Sequence, residues 1–321
     1  MHQDNRIKLA LLLPAVLWVL CFTIFPLVYG VGLSFFNVKI GRPDTFVGFE
    51  NYVHFFKDDV GRKSALITLI FVCVSVTVQM IVGMGLAVLL SRDMPLRSTL
   101  RTTITMPLFA TPVAVGYLFL TIFYEKGGLV NGLLPQFTAS SLEEAQQMVE
   151  WVKSLPGELR GTAYMHEDGT ARMKVILPWL SRPRWALASI ILVDIWQWTP
   201  FCFLIFLASL QGIPRESYEA AMLETKSGWQ VFRHVTLPMM QPTIILVLLL
   251  RLTEAFKVFD IPYTLTGGGP ANATKMLSFY AYEAWREARN IGYTCSVAVM
   301  LFITVLIALM ILFKRTRQIY E

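Results

Sequence analysis

The residues of this sequence best suited to chemistry are a few polar side chains inside long apolar stretches. Asp194, Gln197 and Trp198 share one such stretch, and Arg251 and Glu254 stand three residues apart in another. Residues three apart lie on one face of a helix and can form an ion pair. Charged side chains are costly inside a membrane, so each marks either a functional site or a bridge between helices.

Side chains for covalent or metal chemistry do not cluster in this sequence. The cysteines lie inside apolar stretches without metal-ligand spacing. The glycine run Gly267-Gly268-Gly269-Pro270 lacks the lysine of a phosphate-binding loop. The histidines are scattered, at His2, His54, His166 and His234. We predict no catalytic residue, no metal site and no nucleotide site in this chain.

The composition excludes an ordinary soluble domain. Of 321 residues, 55% are hydrophobic and only 16% are charged, whereas soluble domains carry about a quarter charged residues. Membrane-spanning helices need about 20 apolar residues. Six stretches qualify, at 9–36, 64–90, 102–123, 185–210, 243–259 and 292–313. The sequence predicts an all-α membrane protein with six transmembrane helices.

The basic residues indicate which side of the membrane each loop occupies. The net charge is +6, and the absence of a basic stripe interleaved with aromatic residues argues against nucleic-acid binding. Lysine and arginine favour cytoplasmic loops. They concentrate at Arg6, Lys8, Arg92, Arg97, Arg101, Lys314, Arg315 and Arg317. Both termini are therefore predicted to be cytoplasmic.

The longest loop, 124–184, is predicted to be external and folded. Ser140 and Glu143 have capping-box spacing ahead of an amphipathic helix. Two short strands, 162–165 and 172–176, flank a turn at Asp168-Gly169. We expect a small helix-plus-hairpin insert that divides the chain into 1–123, 124–184 and 185–321. The segment 136–178 either caps the spans or contacts an external partner.

A polar segment, 211–242, interrupts the apolar pattern between the fourth and fifth stretches. Pro214 suits a helix start, and residues 215–224 favour a helix. Ser227 with Gln230 can cap a second helix, which Pro238 is expected to end. A short soluble helical hairpin on one membrane face is suited to contact another protein.

This hairpin resembles the EAA loop of the permease subunits of binding-protein-dependent ABC importers. The matching residues are Glu219, Ala220, Ala221, Glu224, Trp229, Gln230, Phe232, Leu237, Pro238 and Pro242. Thr225 and Lys226 replace the usual Gly-Ala pair. A segment typical of the carbohydrate subgroup matches at Phe256, Lys257, Phe259, Asp260, Tyr263, Thr266, Gly268, Gly269 and Pro270.

The resemblance implies the type I ABC importer permease fold in the bacterial inner membrane. The loop would contact an ATP-hydrolysing subunit through Glu219, Ala220, Ala221, Glu224, Thr225, Gly228 and Pro238. ATP and Mg would be bound by that partner, present as a dimer. A second homologous permease and an extracytoplasmic solute-binding protein would complete an importer for a sugar-like solute. Transport would proceed by alternating access.

Two questions stay open at this point. The polar membrane residues either line a substrate path or bridge the helices; they are Gln79, Asp194, Gln197, Trp198, Arg251 and Glu254. The second question is the energy source, because a self-contained ion- or proton-coupled carrier could use such charges as a relay. Carriers of that kind usually contain inverted repeats, and we see no clear repeat. An intramembrane enzyme lacks a catalytic constellation.

Overall fold

The computed structural model describes residues 12–125, 127–134, 136–154, 160–165 and 169–320. Arg6, Lys8, His2, His166 and Asp168 lie outside these residues. Contacts divide the chain into two units. One comprises the described residues up to Arg62 together with Leu277–Ile307, and the other comprises Lys63–Met276 with the residues from Ala308 onward. The predicted division at 123 and 184 follows membrane topology and stays a prediction.

The first unit contains one whole apolar helix, most of a second one and a group of short elements. Helix α1 (Leu12–Leu33) includes a π-helical turn. The hairpin of β1 (Phe36–Asn37) and β2 (Thr45–Phe46) precedes α2 (Glu50–Lys57). Helix α12 (Leu277–Ala288) and the start of α13 (Ile291–Tyr320) belong to the same unit. A side chain at Gly292 would lie 1.9 Å from the Phe36 carbonyl oxygen, so only glycine fits there.

A hydrogen-bonded chain of three side chains ties these elements together. The Tyr280 hydroxyl donates to Asp58 Oδ2 at 2.5 Å and lies 2.6 Å from the Tyr293 hydroxyl. Burial alone would raise the pKa of the Asp58 carboxyl, but hydrogen bonds from Tyr280, Val60 and Gly61 together lower it below its usual value. The carboxylate is therefore held in its charged form.

We expect Tyr280→Phe to destabilise the first unit by about 1 kcal/mol at neutral pH, because Asp58 loses its side-chain donor. A lowered folded-state pKa contributes stability above the unfolded pKa, and that stability is lost as the pH falls through the folded pKa. The variant should therefore differ less from wild type in acid than at neutral pH. Thermal unfolding of the purified chain at both pH values measures this. An equal difference at both would contradict the role of Asp58.

The second unit is built on three long apolar helices. These are α3 (Asp59–Ser91), α8 (Pro183–Gln211) and α10 (Gly228–Phe256), and each is long and apolar enough to cross a membrane. Their shared core contains Ala87, Leu90, Cys202, Phe203, Phe206, Leu207, Leu210, Met240 and Val247. Small residues at helix crossings let membrane helices approach closely. A side chain at Gly83 would lie 2.7 Å from Cys202 Cβ, so α3 and α8 meet at this glycine.

We predict that Gly83→Val destabilises the protein by about 1–3 kcal/mol, because the added side chain would force α3 away from α8. Gly85→Val is the matched control: it lies two residues away in the same helix, and its added side chain meets no atom within 4 Å. Thermal unfolding in detergent compares the two variants. Equal melting temperatures would show that the helices do not meet at Gly83.

The third predicted span, 102–123, is broken and not continuous. Helix α4 (Arg97–Thr105) continues as a 3₁₀ turn to Phe109, and α5 (Pro112–Ile122) leaves at an angle of 101°. The residue before a proline avoids the helical conformation, and Thr111 is extended ahead of Pro112. The described chain therefore has five candidate spans, or six if the bent pair is one span.

Other span boundaries also differ from the predicted ones. The fifth span was expected at 243–259, yet α10 begins at Gly228, fifteen residues earlier, and ends at Phe256. Helix α11 (Asp260–Thr266) is separate from it and packs against α5. A side chain at Gly116 would overlap Thr264, so α5 and α11 are in close contact there.

The insert folds as one helix on a three-stranded sheet. Short α6 (Leu129–Leu133) leads into β3 (Gln136–Ala139) and then α7 (Leu142–Ser154). The predicted hairpin is β4 (Arg160–Met165) with β5 (Ala171–Ile176), and β3 adds to it in the order β3-β5-β4. The sheet and α7 bury Ala139, Ala145, Val149, Val152, Ala171 and Met173. The strand β3 was not predicted.

The predicted capping box of the insert is shifted by one residue. Ser141 Oγ accepts a hydrogen bond from the Glu144 amide at 3.2 Å, and Glu144 Oε2 accepts one from the Ser140 amide at 2.8 Å. Hydrogen bonds from Ser140 lower the pKa of the Glu144 carboxyl. Glu143 is therefore not the capping acid, because the helix begins at Leu142.

Candidate functional site

The polar hairpin between α8 and α10 contains α9 (Arg215–Glu224). Its bounds agree with the predicted helix. Pro214 is extended, with φ −58° and ψ 138°, and its fixed φ suits the residue before the first helical turn. The Tyr218 hydroxyl accepts a hydrogen bond from Thr236 at 3.3 Å, and Tyr218 and Ala221 are half-buried. This side of α9 faces the rest of the hairpin.

The opposite side of α9 is exposed. Residues 216, 219, 220 and 223 recur at the three- and four-residue spacing of one helix face. They are Glu216, Glu219, Ala220 and Leu223, and all four are exposed. Leu223 is an apolar residue, yet it is 91% exposed on this soluble helix. Analysis of the sequence missed Leu223, although its helical spacing from Glu219 and Ala220 could have identified it.

The turn after α9 is organised by Thr225. Its hydroxyl oxygen accepts a hydrogen bond from the Ser227 amide at 3.1 Å, and the hydroxyl also contacts Gln230 Oε1. Ser227 makes no side-chain cap for the next helix. The predicted Ser227–Gln230 capping box is therefore wrong, because Gln230 pairs with Thr225 instead.

The second helix of the hairpin does not stop at Pro238. It continues as α10 through a π-helical segment, Phe232–Thr236, and Pro238 lies in the turn that follows. A proline lacks the amide that the preceding turn would use, and π-helical turns rearrange such hydrogen bonds locally. The predicted helix end at Pro238 is wrong. Of the remaining predicted coupling residues, Glu224 and Gly228 are exposed.

Trp229 and Phe232 stack on each other at the start of α10, with ring centroids 5.6 Å apart. Trp229 is 68% exposed, whereas Phe232 is half-buried. Both line a groove with residues of α3 such as Met84. The aromatic pair therefore faces the same groove as the C-terminal part of α3.

A buried cluster of three side chains joins α3, α8 and α10. Asp194 of α8 forms an ion pair with Arg251 of α10, Oδ2 to Nη2 at 3.3 Å, with the two side chains 2% and 1% exposed. Gln79 of α3 donates to Asp194 Oδ2 at 2.7 Å and accepts from Arg251 Nε at 2.8 Å. The Arg251 guanidinium also lies 4.6 Å from the centre of the Trp198 ring.

The structure separates the expected pair of Arg251 and Glu254. Glu254 Oε1 contacts Lys257 Nζ at 3.0 Å instead, and both of these side chains are more than half exposed. The pairing expected from three-residue spacing is wrong, because Arg251 is buried toward Asp194. Of the predicted polar membrane residues, Gln79, Asp194 and Arg251 come together beside Trp198. Glu254 does not join this cluster.

Gln197 has a different role from its neighbours. Its Nε2 donates to the Ala110 carbonyl at 3.0 Å, at the break between α4 and α5. Backbone carbonyls freed by a break in a membrane span need such donors. Gln197 therefore stabilises the bent span from α8.

A cavity of about 170 Å³ adjoins the buried ion pair. Asp194, Trp198, Arg251, Glu254 and Asp260 are among the residues that line it. Arg251 Nη1 is buried and has no hydrogen-bond partner among the described residues. No group of three or more metal-ligating side chains occurs in the part of the chain that the structure describes.

Several apolar spans, a bent span and a polar helical hairpin between two spans define a polytopic helical membrane protein. Comparison with known families identifies it further. Residues 79–317 match the family model described as "Binding-protein-dependent transport system inner membrane component". The chain belongs to this family. It is a multi-pass inner-membrane permease component and not an enzyme.

Relatives align with nearly all of the chain. The sulfoquinovosyl glycerol transport system permease protein SmoG of Agrobacterium fabrum is 29% identical, over 93% of this chain and 86% of its own. The trehalose/maltose transport system permease protein MalF of Thermococcus litoralis is 29% identical, over 95% and 92%. A probable ABC transporter permease of Pyrococcus horikoshii is 30% identical, over 98% and 99%.

The fold is also similar to a solved transporter structure. A chain in the crystal structure of a bacterial alginate ABC transporter, in complex with an alginate pentasaccharide-bound periplasmic protein, superposes with a TM-score of 0.76 at 20% identity. The match covers 99% of this chain and 96% of that chain. This similarity establishes the fold of an ABC transporter permease.

Proposed function

We propose that this chain is a permease subunit of an ABC importer that carries a sugar or sugar-like solute into the cytoplasm. The relatives named above are permeases for sulfoquinovosyl glycerol and for trehalose and maltose. The observation that carries the coupling mechanism is the exposed face of α9. A soluble helix between two spans, with unpartnered exposed residues along one side, is suited to dock into a groove of another protein.

In this proposal α9 is the helix through which an ATP-hydrolysing subunit acts on the spans. Ala220 lets the partner surface approach, Glu219 supplies a negative charge for a cation or helix end, and Leu223 supplies an apolar anchor. Ala221, Thr225 and Pro238 shape the hairpin behind this face, and the exposed Glu224 and Gly228 border it. The hairpin and both termini would then be cytoplasmic, in agreement with the basic loops.

The complete importer would contain three further kinds of protein and would use ATP with Mg. A second homologous permease, a dimer of ATP-binding subunits and an extracytoplasmic solute-binding protein are the protein partners, and ATP with Mg would bind to the ATP-binding subunits. The alginate transporter was crystallised with its periplasmic protein bound. Closure of the ATP-binding subunits would move α9 and switch the spans between inward- and outward-facing states.

The buried cluster would hold α3, α8 and α10 together while they move as one body. Gln79, Asp194 and Arg251 satisfy one another across these helices, as interhelical polar side chains in membranes generally do. Trp198 and Glu254 line the adjoining cavity, where an aromatic ring and a carboxylate could contact a sugar. The substrate path would therefore pass beside the cluster.

The test is uptake by proteoliposomes that contain the complete importer with its binding protein. Labelled maltose, trehalose, a polyol and a glycerol-phosphate derivative are supplied in turn, with ATP enclosed or omitted. Uptake of one of them should require ATP and should survive a protonophore. Uptake that persists without ATP and collapses with the protonophore would establish the ion-coupled carrier instead.

A further inference from the structure

Two neighbouring cavities share a wall where the C-terminal end of α3 meets the start of α10. One, the basic cavity, has a volume of about 570 Å³, and the other, the apolar groove, has a volume of about 620 Å³. Val88, Arg92, Gly228 and Phe232 line both. The two cavities therefore adjoin each other along these four residues.

The basic cavity is suited to an anion. Its charged lining residues are Arg92 and Lys226, and no carboxylate is among the described residues that line it. Neither cation forms an ion pair with any residue in the described part of the chain. The Tyr218 hydroxyl, which accepts a hydrogen bond from Thr236, has its own proton left to donate. Cations together with a hydroxyl donor are typical of phosphate recognition.

The apolar groove is suited to a hydrocarbon chain. Met80, Ile81, Met84, Leu237 and Ile244 line it. It lies along helices that cross the membrane, with Arg92 and Trp229 among its lining residues. Aromatic and basic residues at the end of an apolar surface are typical of the level of lipid headgroups.

We propose that the two cavities form one site for an anionic phospholipid. The phosphate would contact Arg92 and Lys226 in the basic cavity, and one acyl chain would lie in the apolar groove. A free phosphate would use only the first cavity, and an apolar helix of a second permease would use only the second. The combination of both chemistries at a shared wall favours the phospholipid.

Such a lipid would connect the hairpin to a span. Arg92 directly follows α3, and Lys226 lies in the turn between α9 and α10. A phosphate bound to both would hold this turn against the end of α3. The site therefore differs from the exposed face of α9, and its existence does not depend on which solute is transported.

The experiment measures lipid binding to the delipidated full-length chain by native mass spectrometry. Phosphatidylglycerol is compared with phosphatidylcholine of the same acyl chains. We expect tighter retention of phosphatidylglycerol, and the double variant Arg92→Gln/Lys226→Gln should weaken it about tenfold or more, because each basic residue near an anionic headgroup contributes. Arg233→Gln is the matched control, since Arg233 is exposed on α10 and lines neither cavity.

A second variant tests the groove without disturbing the fold. Gly85→Leu places a side chain in the groove, and the added Cβ meets no atom within 4 Å. It should reduce phosphatidylglycerol binding severalfold, whereas Gly32→Leu, another helical glycine whose added Cβ meets no atom within 4 Å, should not. A photoreactive acyl chain should label the peptides around Met84 and Ile244.

Three outcomes would overturn the proposal. Equal retention of the two lipids would show that the basic cavity does not select an anion. Displacement of lipid by inorganic phosphate, together with normal binding to Gly85→Leu, would assign the cavity to a free anion. In the assembled importer, the Met84 peptide could be cross-linked to a second permease and not labelled by the lipid. That result would assign the groove to the subunit interface.

Discussion

Glu219→Lys is expected to reduce ATP-dependent uptake by about a hundredfold or more, while the chain still inserts into the membrane at normal levels. Glu219 lies at the centre of the exposed face of α9, beside Ala220. Charge reversal at the centre of a docked surface costs several kcal/mol, because it removes an attractive contact and introduces a repulsive one. The exposed position of Glu219 means that folding of this chain should change little.

The measurements are uptake by the reconstituted importer, its ATPase rate and the amount of ATP-binding subunit that co-purifies. Glu143→Lys is the matched control, because Glu143 is also an exposed helical glutamate but belongs to the insert. Wild-type uptake by Glu219→Lys would remove the basis for the coupling role. Loss of uptake by Glu143→Lys as well would point to a general effect of added positive charge.

Leu223→Ala adds an independent measurement on the same face. Because Leu223 is almost fully exposed in the isolated chain, its removal should not destabilise the fold. Its burial by a partner would contribute about 1–3 kcal/mol, so co-purification of the ATP-binding subunit should fall roughly tenfold or more. Unchanged co-purification would place the partner elsewhere on the hairpin.

Local features of the fold could be predicted from local sequence. The bounds of α9 follow from Pro214 and a run of helix-forming residues, and the hairpin of β4 with β5 follows from alternating strands around a glycine turn. The apolar spans follow from their length and composition. Each of these signals acts within a few residues, so no knowledge of the distant chain is needed.

Features that depend on distant residues could not be predicted. Nothing near Arg251 indicates Asp194 as its partner, because 57 residues separate them and a carboxylate stands only three residues away at Glu254. The spacing rule treats both faces of a helix alike, whereas burial decides which carboxylate the guanidinium can reach. The bend before Pro112 depends similarly on Gln197 of another helix, which satisfies the Ala110 carbonyl.

The continuous helix through Pro238 was missed for a different reason. A proline within an apolar run predicts a helix end in water, but a preceding π-helical segment can absorb the missing amide. In this protein, Phe232–Thr236 is such a π-helical segment and directly precedes the turn that contains Pro238. Prolines in membrane helices are tolerated when neighbouring groups rearrange locally, so the proline rule for soluble helices gave the wrong boundary.

The second large effect is expected at the buried ion pair. Arg251→Met should destabilise the protein by about 3–5 kcal/mol, because it leaves Asp194 charged and buried without its partner. Asp194→Leu should destabilise the protein by a similar amount, because it leaves Arg251 charged and buried without its partner. The double variant Asp194→Leu/Arg251→Met should recover most of the loss, since an apolar pair in place of a buried ion pair is often neutral.

A double-mutant cycle of thermal unfolding in detergent measures the coupling between the two residues. The control cycle uses Glu254→Gln and Lys257→Gln, an ion pair at the C-terminal end of α10 whose side chains are both more than half exposed. Exposed pairs contribute about 0–1 kcal/mol, so this cycle should give little coupling. Equal coupling in the two cycles would show that burial does not strengthen the Asp194–Arg251 interaction.

Transport by the double variant distinguishes a structural from a substrate-contacting role. If Asp194 and Arg251 only hold α8 against α10, the stable double variant should import solute at a rate close to wild type. Loss of import with stability restored would place at least one of the two charges in contact with the solute. Gln79 forms hydrogen bonds with both Asp194 and Arg251. The variant Gln79→Leu removes these bonds and should therefore reduce the coupling measured between Asp194 and Arg251.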